Sequence, residues 1–217
     1  MIAVSLLAGT AAVPSFAATS DEQTVVDHAI GTLRDLRSDK EFGNARTLLH
    51  RARAVLIAPR IFKAGFFFGG EGGQAVLMAR GPNGWSNPAF YTVASASFGL
   101  QIGAQESEMI MLIMTDCALR ALMQNSFKIG ANAGLAIVTL GSTVEAATTS
   151  HVGADIVVWA SASGIYAGIS LDGTLVEPRC EADRSFYGRP VTSSDIVLRH
   201  DVRSAAAAPL VRELASL

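Results

Sequence analysis

The sequence predicts an α+β fold: a strongly curved, glycine-rich antiparallel sheet, barrel-like, packed with N-terminal, middle and C-terminal helices. Three observations carry this. Helix-period apolar residues lie near both ends and strand-like runs fill the middle, without βαβ alternation. Gly-x-x-x-Gly spacings recur through the strand-like part, at Gly65/Gly69, Gly99/Gly103, Gly130/Gly134 and Gly164/Gly168, at intervals of 34, 31 and 34 residues. In a strand, residues four apart face the same way, so each pair would leave a bare stripe where a sheet bends or another layer approaches. Finally, turn signals separate short apolar runs, as in antiparallel hairpins.

The elements follow in order. Residues 1–20 carry no charged side chain, and Ile2, Val4, Leu6, Leu7 and Val13 form an apolar run broken by Pro14. Ser15-Phe16-Ala17 then fits a small-x-small cleavage site, so residues 1–17 read as an export signal and 18–217 as one mature domain. Ser20 to Gln23 fits a capping box, and Val26, Ile30 and Leu33 give an amphipathic first helix. A second helix starts near Asn44 and carries Leu48, Leu49 and Ala52. Ala54–Ala58 is a short apolar run that Pro59 ends. Gly81-Pro82-Asn83-Gly84 and Asp172-Gly173 mark hairpins, and Ile156–Trp159 is β-branched and aromatic. Thr115 or Asp116 caps a middle helix bearing Leu119, Leu122 and Met123, and a last helix runs from Ser193–Asp195 past Pro209.

Composition narrows the function. A chain of 217 residues is one domain or a small pair, and at this size roughly 70% of the unfolded surface can be buried without metal or disulfide support. The net charge of −2 argues against a nucleic-acid partner. After the first 20 residues every uncharged stretch is interrupted by Gly, Ser, Pro, Asn or Gln, so none reads as a membrane helix. The mature protein is expected to be soluble and periplasmic or secreted.

Catalytic signatures are sparse. There is no P-loop, nucleophile elbow, H-E-x-x-H or C-x-x-C, and Gly70-x-Gly72-x-x-Ala75 lacks the βαβ context of a dinucleotide site. Cys117, in the first turn of the middle helix, is the best nucleophile candidate. A small buried hydrophobe is the more ordinary role, and a disulfide to Cys180 is a third. Glu106 and Glu108, two apart, would share one strand face, as a catalytic carboxylate pair or, more ordinarily, on a solvated strand edge or loop. The four histidines show no metal-ligand spacing, and neither cofactor nor metal is expected. Charge is more informative. From Arg34 to Lys63 eight basic residues face three acids, whereas from Ser97 to Pro178 two face seven. A basic stretch beside apolar residues suits an anionic membrane surface; paired arginines on a solvated helix face are the competing explanation.

The stretch Ala54-Val55-Leu56-Ile57-Ala58-Pro59-Arg60-Ile61-Phe62-Lys63-Ala64-Gly65, followed by Gly69-Gly70-Glu71-Gly72-Gly73, resembles the SYLF lipid-binding domain family. Gly84–Tyr91, Gly99–Gln105, Tyr166–Gly173 and Phe186-Tyr187-Gly188 resemble further blocks of that family in the same order. The resemblance covers Leu48 to Asp201. It implies lipid binding, in eukaryotic members to phosphoinositides and sometimes actin, through N-terminal basic and amphipathic elements, and it supplies no active site. By position, Arg51, Arg53, Arg60 and Lys63 are the residues that would contact lipid head groups, with Phe62, Phe66, Phe67 and Phe68 meeting acyl chains or filling the core. For an exported protein the expected partner is an anionic phospholipid or another envelope lipid. A protein-interaction module of the envelope and a cysteine-dependent enzyme at Cys117 are the alternatives.

Overall fold

The computed structural model describes residues 21–38, 42–65, 68–98, 103–124, 126–129, 137–140, 154–163 and 173–217, and of residues 42–44, 63–65, 68–69, 96–98, 103–105, 137–140 and 160–163 the backbone alone. Helix α1 (Asp21–Ser38) turns Val25, Val26, Ala29, Leu33 and Leu36 inward. α2 spans Phe42–Arg51. Strands β1 (Ala54–Gly65) and β2 (Phe68–Gly81) form a long hairpin, β3 (Gly84–Trp85) folds back on the end of β2, and β4 (Ala89–Phe98) and β5 (Gly103–Ile113) follow. Next come α3 (Asp116–Leu122), β6 (Phe127–Lys128), β7 (Ile137–Leu140), β8 (Ile156–Ser163) and β9 (Leu175–Pro178). The chain closes with α4 (Cys180–Tyr187), α5 (Ser193–Val197), a 3₁₀ turn at Ala205–Ala207 and α6 (Ala208–Ala215).

The strands make one curled sheet in the order β6-β9-β4-β2-β1-β5-β8-β7, with β3 beside β2. Every pairing is antiparallel except β7–β8. Both faces are covered near β1. On the first face, Val55, Ile57, Val76, Met78, Phe90, Ile110, Leu112 and Trp159 pack under α1, α2, α4 and α6. On the second, Leu56, Ala75, Leu77, Tyr91, Met109, Met111 and Val158 meet α3, α5 and Phe127. Two-sided burial explains why the core half of β1 reads as continuous apolar sequence rather than alternation.

Several expectations are corrected. Pro59 does not end its strand. It sits in a β-bulge, where the pairing with β2 jumps from Ile57–Val76 to Arg60–Gln74 and that with β5 from Ala58–Met109 to Ile61–Ser107. A bulge tolerates a residue without an N–H, and its extra residue changes which side chains face which way. Val55 and Ile57 point to the first face before it, and Arg60 and Phe62 after it. Gly73 lies opposite, where an added Cβ would stand 2.2 Å from the Arg60 carbonyl oxygen.

The first Gly-x-x-x-Gly pair does not lie along one strand. Gly65 ends β1 and pairs across the hairpin with Gly69; Gly103 opens β5, while its partner Gly99 and the pairs at Gly130/Gly134 and Gly164/Gly168 fall outside the described residues. The last helix is two, α5 and α6, separated by a bend in which His200 has φ +56°. Cys117 and Cys180 are both exposed free thiols, so the disulfide is absent. The expected export segment and Ser20 also fall outside the described residues. Among the described residues no helix is long and apolar enough to cross a membrane.

Candidate functional site

α2 is short, so its place depends on docking rather than propensity. Ala45, Leu49 and the following Ala52 are buried against the first-face core, and Leu48 is partly so. This leaves Arg46, Thr47, His50 and Arg51 exposed. Arg46, His50 and Arg51 make no ion pair with any described residue. Two of them close the helix at its C-terminal end, where cations complement the dipole.

Arg80 extends the cationic surface, and it was not singled out from sequence. Its backbone N–H bonds the Arg53 carbonyl at 2.8 Å, its guanidinium donates to Leu49 O at 3.1 Å, and its plane lies 4.4 Å from the Trp85 ring centroid. It thereby satisfies a carbonyl at the end of α2. The clue was the Gly81–Gly84 turn, whose register puts Arg80 opposite Trp85. Arg53 is also exposed and is bonded to Asp116 at 2.9 Å, at the start of α3.

The four sequence-predicted lipid contacts are not brought together. Arg51 and Arg53 stand at the end of the sheet where β1 begins. Arg60 lies beyond the bulge, roughly 20 Å further along the strand at about 3.3 Å per residue. There its guanidinium grips Glu106 with two bonds, Nε to Oε1 at 2.5 Å and a terminal nitrogen to Oε2 at 3.1 Å. That bond holds the Glu106 carboxyl below the ordinary carboxylate range and raises the arginine. Arg60 also lies over the ring of Phe62 at 5.3 Å from its centroid, and Phe62 is 53% exposed. Lys63 is paired through its backbone with Glu71 and Gln105, but its side chain, like those of Phe66, Phe67 and Phe68, lies outside the described residues.

Glu106 and Glu108 share the first face, as expected, but their roles diverge. Glu108 is half-buried beneath α1, near Thr32 and Asp35, and desolvation followed by the Asp35 charge pushes it up to about 7. Among the described residues no group of three acidic, histidine or cysteine side chains is arranged to hold a metal. Thr115 caps α3 by accepting the Ala118 N–H at 3.2 Å. Cys117 behind it is exposed, and no hydrogen bond joins it to a histidine among the described residues.

Exposed cations thus gather where α2 meets the start of β1, and the comparisons with known proteins give the family. The family model described as Ysc84, Las17-binding protein actin regulator, matches residues 94–217. The yeast Saccharomyces cerevisiae Protein YSC84 is 32% identical over 173 residues, which is 78% of this chain and 37% of the yeast protein. LAS seventeen-binding protein 3 of the same species is 31% identical over 78% of this chain and 38% of its own. The human SH3 domain-containing YSC84-like protein 1 is 30% identical over 158 residues, 72% of this chain and 46% of its own. The chain belongs to the Ysc84/SYLF family. It spans less than half the length of these relatives.

Proposed function

We propose that this protein is an exported lipid-binding module, periplasmic or secreted, whose single domain over residues 18–217 engages an anionic phospholipid or another envelope lipid and catalyses no reaction. One observation carries the reading: α2 presents Arg46, His50 and Arg51 to solvent without an ion-pair partner among the described residues, while its apolar face is already committed to the core. A free amphipathic helix enters the interface with its apolar side. Here that side is occupied, so contact rests on charge. Arg80 widens the cationic platform, Arg53 beside it is paired with Asp116, Phe62 offers a separate apolar contact beyond the bulge, and the SYLF family membership points to the same ligand class.

Each basic residue close to an anionic surface adds about 1 kcal/mol. Replacing Arg46 and Arg51 with Gln is therefore expected to weaken binding to phosphatidylglycerol-containing vesicles by about 2 kcal/mol, roughly 30-fold. Binding should also fall with added salt and be absent from neutral vesicles. Flotation of the unaltered protein with neutral and anionic vesicles alike, or with neither, defeats the proposal. The family's description as Las17-binding favours a second reading in which the same surface takes a protein. Retention of proteins from envelope extracts without vesicle flotation would select it.

A further inference from the structure

The start of β1, the end of β2 and the end of β5 lie side by side at one end of the sheet, and three segments meet there. α2 closes at Arg51, two residues before Arg53, whose N–H bonds the Ile113 carbonyl at 2.8 Å. The Arg80 N–H bonds the Arg53 carbonyl in turn, and the turn that follows leaves Pro82 and Asn83 exposed. The third segment is the bend between α5 and α6. An added Cβ at Gly81 would stand 2.6 Å from two atoms of the His200 ring, an approach that the absence of a side chain permits. The Ser204 N–H donates to Asn87 Oδ1 at 3.0 Å and ties the bend to the β3–β4 connection.

Alternation puts these groups on opposite sides of the sheet end. Arg80 continues Val76 and Met78, which face the first layer, whereas Gly81 continues Leu77 and Ala79, which face the second. The α2 cations and Arg80 therefore stand on one side, and His200 on the other. Leu198 is 48% exposed, and its Cα lies within about 7 Å of that of His200, two residues on. Phe62 is the other large apolar side chain exposed among the described residues. It stands about 25 Å from Ala54 along β1, at about 3.3 Å per residue.

Charge decides which part of the molecule an anionic layer meets. At the sheet end the acids are engaged: Asp116 with Arg53, Asp195 and Asp201 with Arg199, and Asp155 with the Thr115 hydroxyl. The outer side of the first-face helices is the opposite case. There Asp21 and Asp27 of α1 and Glu181 of α4 are exposed, while Arg34 and Arg37 are paired with Glu213. An anionic surface approaching those helices meets like charge within a screening length of about 8 Å. We infer that the protein docks end-on, with the α2 cations and Arg80 against head groups on one side of the strands and Leu198 entering the acyl boundary on the other. This deepens the lipid-binding reading above and rests on it. In that pose the strands stand upright on the surface and Phe62 is out of reach.

Polarity-sensitive labelling of the full chain tests the pose. Both native thiols are exposed, so a Cys117→Ser, Cys180→Ser background receives a nitrobenzoxadiazole label through Leu198→Cys, Phe62→Cys or Asp27→Cys. Each protein is mixed with phosphatidylglycerol-containing vesicles. Emission from position 198 should shift to the blue, and emission from positions 62 and 27 should stay as in water. Binding that leaves position 198 unshifted, or that shifts 62 or 27, overturns the end-on pose and leaves the lipid reading standing. Failure of the unlabelled protein to float with these vesicles defeats both. Leu198→Ala should weaken vesicle binding about 3- to 10-fold, as expected for half a leucine side chain leaving water, and should leave thermal unfolding unchanged. An unaltered affinity overturns the entry of Leu198.

Discussion

Replacing Gly73 with alanine probes the bulge on which the path of β1 depends. The new Cβ would stand 2.2 Å from the Arg60 carbonyl oxygen, 3.1 Å from its carbonyl carbon and 3.2 Å from the Ile61 Cα. A relaxed carbon–oxygen contact is about 3.3–3.6 Å, so roughly 1 Å of movement is required. All three atoms are backbone, and β1 is laddered to β2 on one side and β5 on the other, so no rotamer change relieves the overlap. Overpacking typically costs 1–3 kcal/mol, and a backbone clash belongs at the upper end, about 3 kcal/mol. At about 2–4 °C per kcal/mol for a domain of this size, the melting temperature should fall by about 6–12 °C. Gly70 is the control on the same strand, where an added Cβ meets nothing within 4 Å. Gly70→Ala should be neutral, or stabilising by about 0.5 kcal/mol through the unfolded chain. The assay is urea and thermal unfolding followed by far-ultraviolet circular dichroism. A Gly73→Ala variant within about 0.5 kcal/mol of the parent, a typical surface effect, would refute the bulge geometry.

Three further outcomes are expected. Tyr187→Phe removes the phenol that donates to the Pro88 carbonyl at 2.6 Å, and should cost about 1–3 kcal/mol in urea unfolding because the acceptor is left in a buried setting. Thr192→Ala removes one half of the α5 capping box and should cost about 1 kcal/mol by the same assay. Glu108, pushed up to about 7 in the folded protein from an ordinary 4.5, binds its proton more tightly folded than unfolded. That contribution is complete below about pH 4.5 and is lost as pH rises towards 7. Glu108→Gln should therefore reduce the fall in unfolding free energy between pH 5 and 8, read from urea titrations, by about 1 kcal/mol once solvent screening of a half-exposed site is allowed for.

The fold class was legible because its signals are local. The α1 stripe, the apolar start of β1, the Gly81–Gly84 turn and the Thr115 cap each follow from neighbours a few residues apart. Which strands become neighbours was not, since periodicity states that a strand exists and not what it pairs with. Nothing local places β1 between β2 and β5. Pro59 misled because the rule that proline ends a strand has bulges as its exception. α4 went unread since its boundary depends on Gly188, in the left-handed region at φ +65°, more than on any apolar period. The basic run looked like one site because closeness in sequence was taken for closeness in space; an extended strand instead carries Arg60 away from Arg51 and into the grip of Glu106. Asp183, buried in α4 where it accepts the Phe90 N–H at 2.8 Å, was passed over because acids are expected at the surface.

The strand order also sets a timetable for assembly. β1 acquires one neighbour at once, through the β2 hairpin, but its other edge pairs with residues 38 (Gly65 with Gly103) to 59 (Ala54 with Ile113) positions further on. Until β5 arrives, the edge running through Ala54–Ala58 offers unpaired amides beside some of the most apolar side chains in the chain, a template for wrong partners. Non-local closure of this kind is slow, so the folding yield should depend on how dilute or how well chaperoned the chain is during that interval.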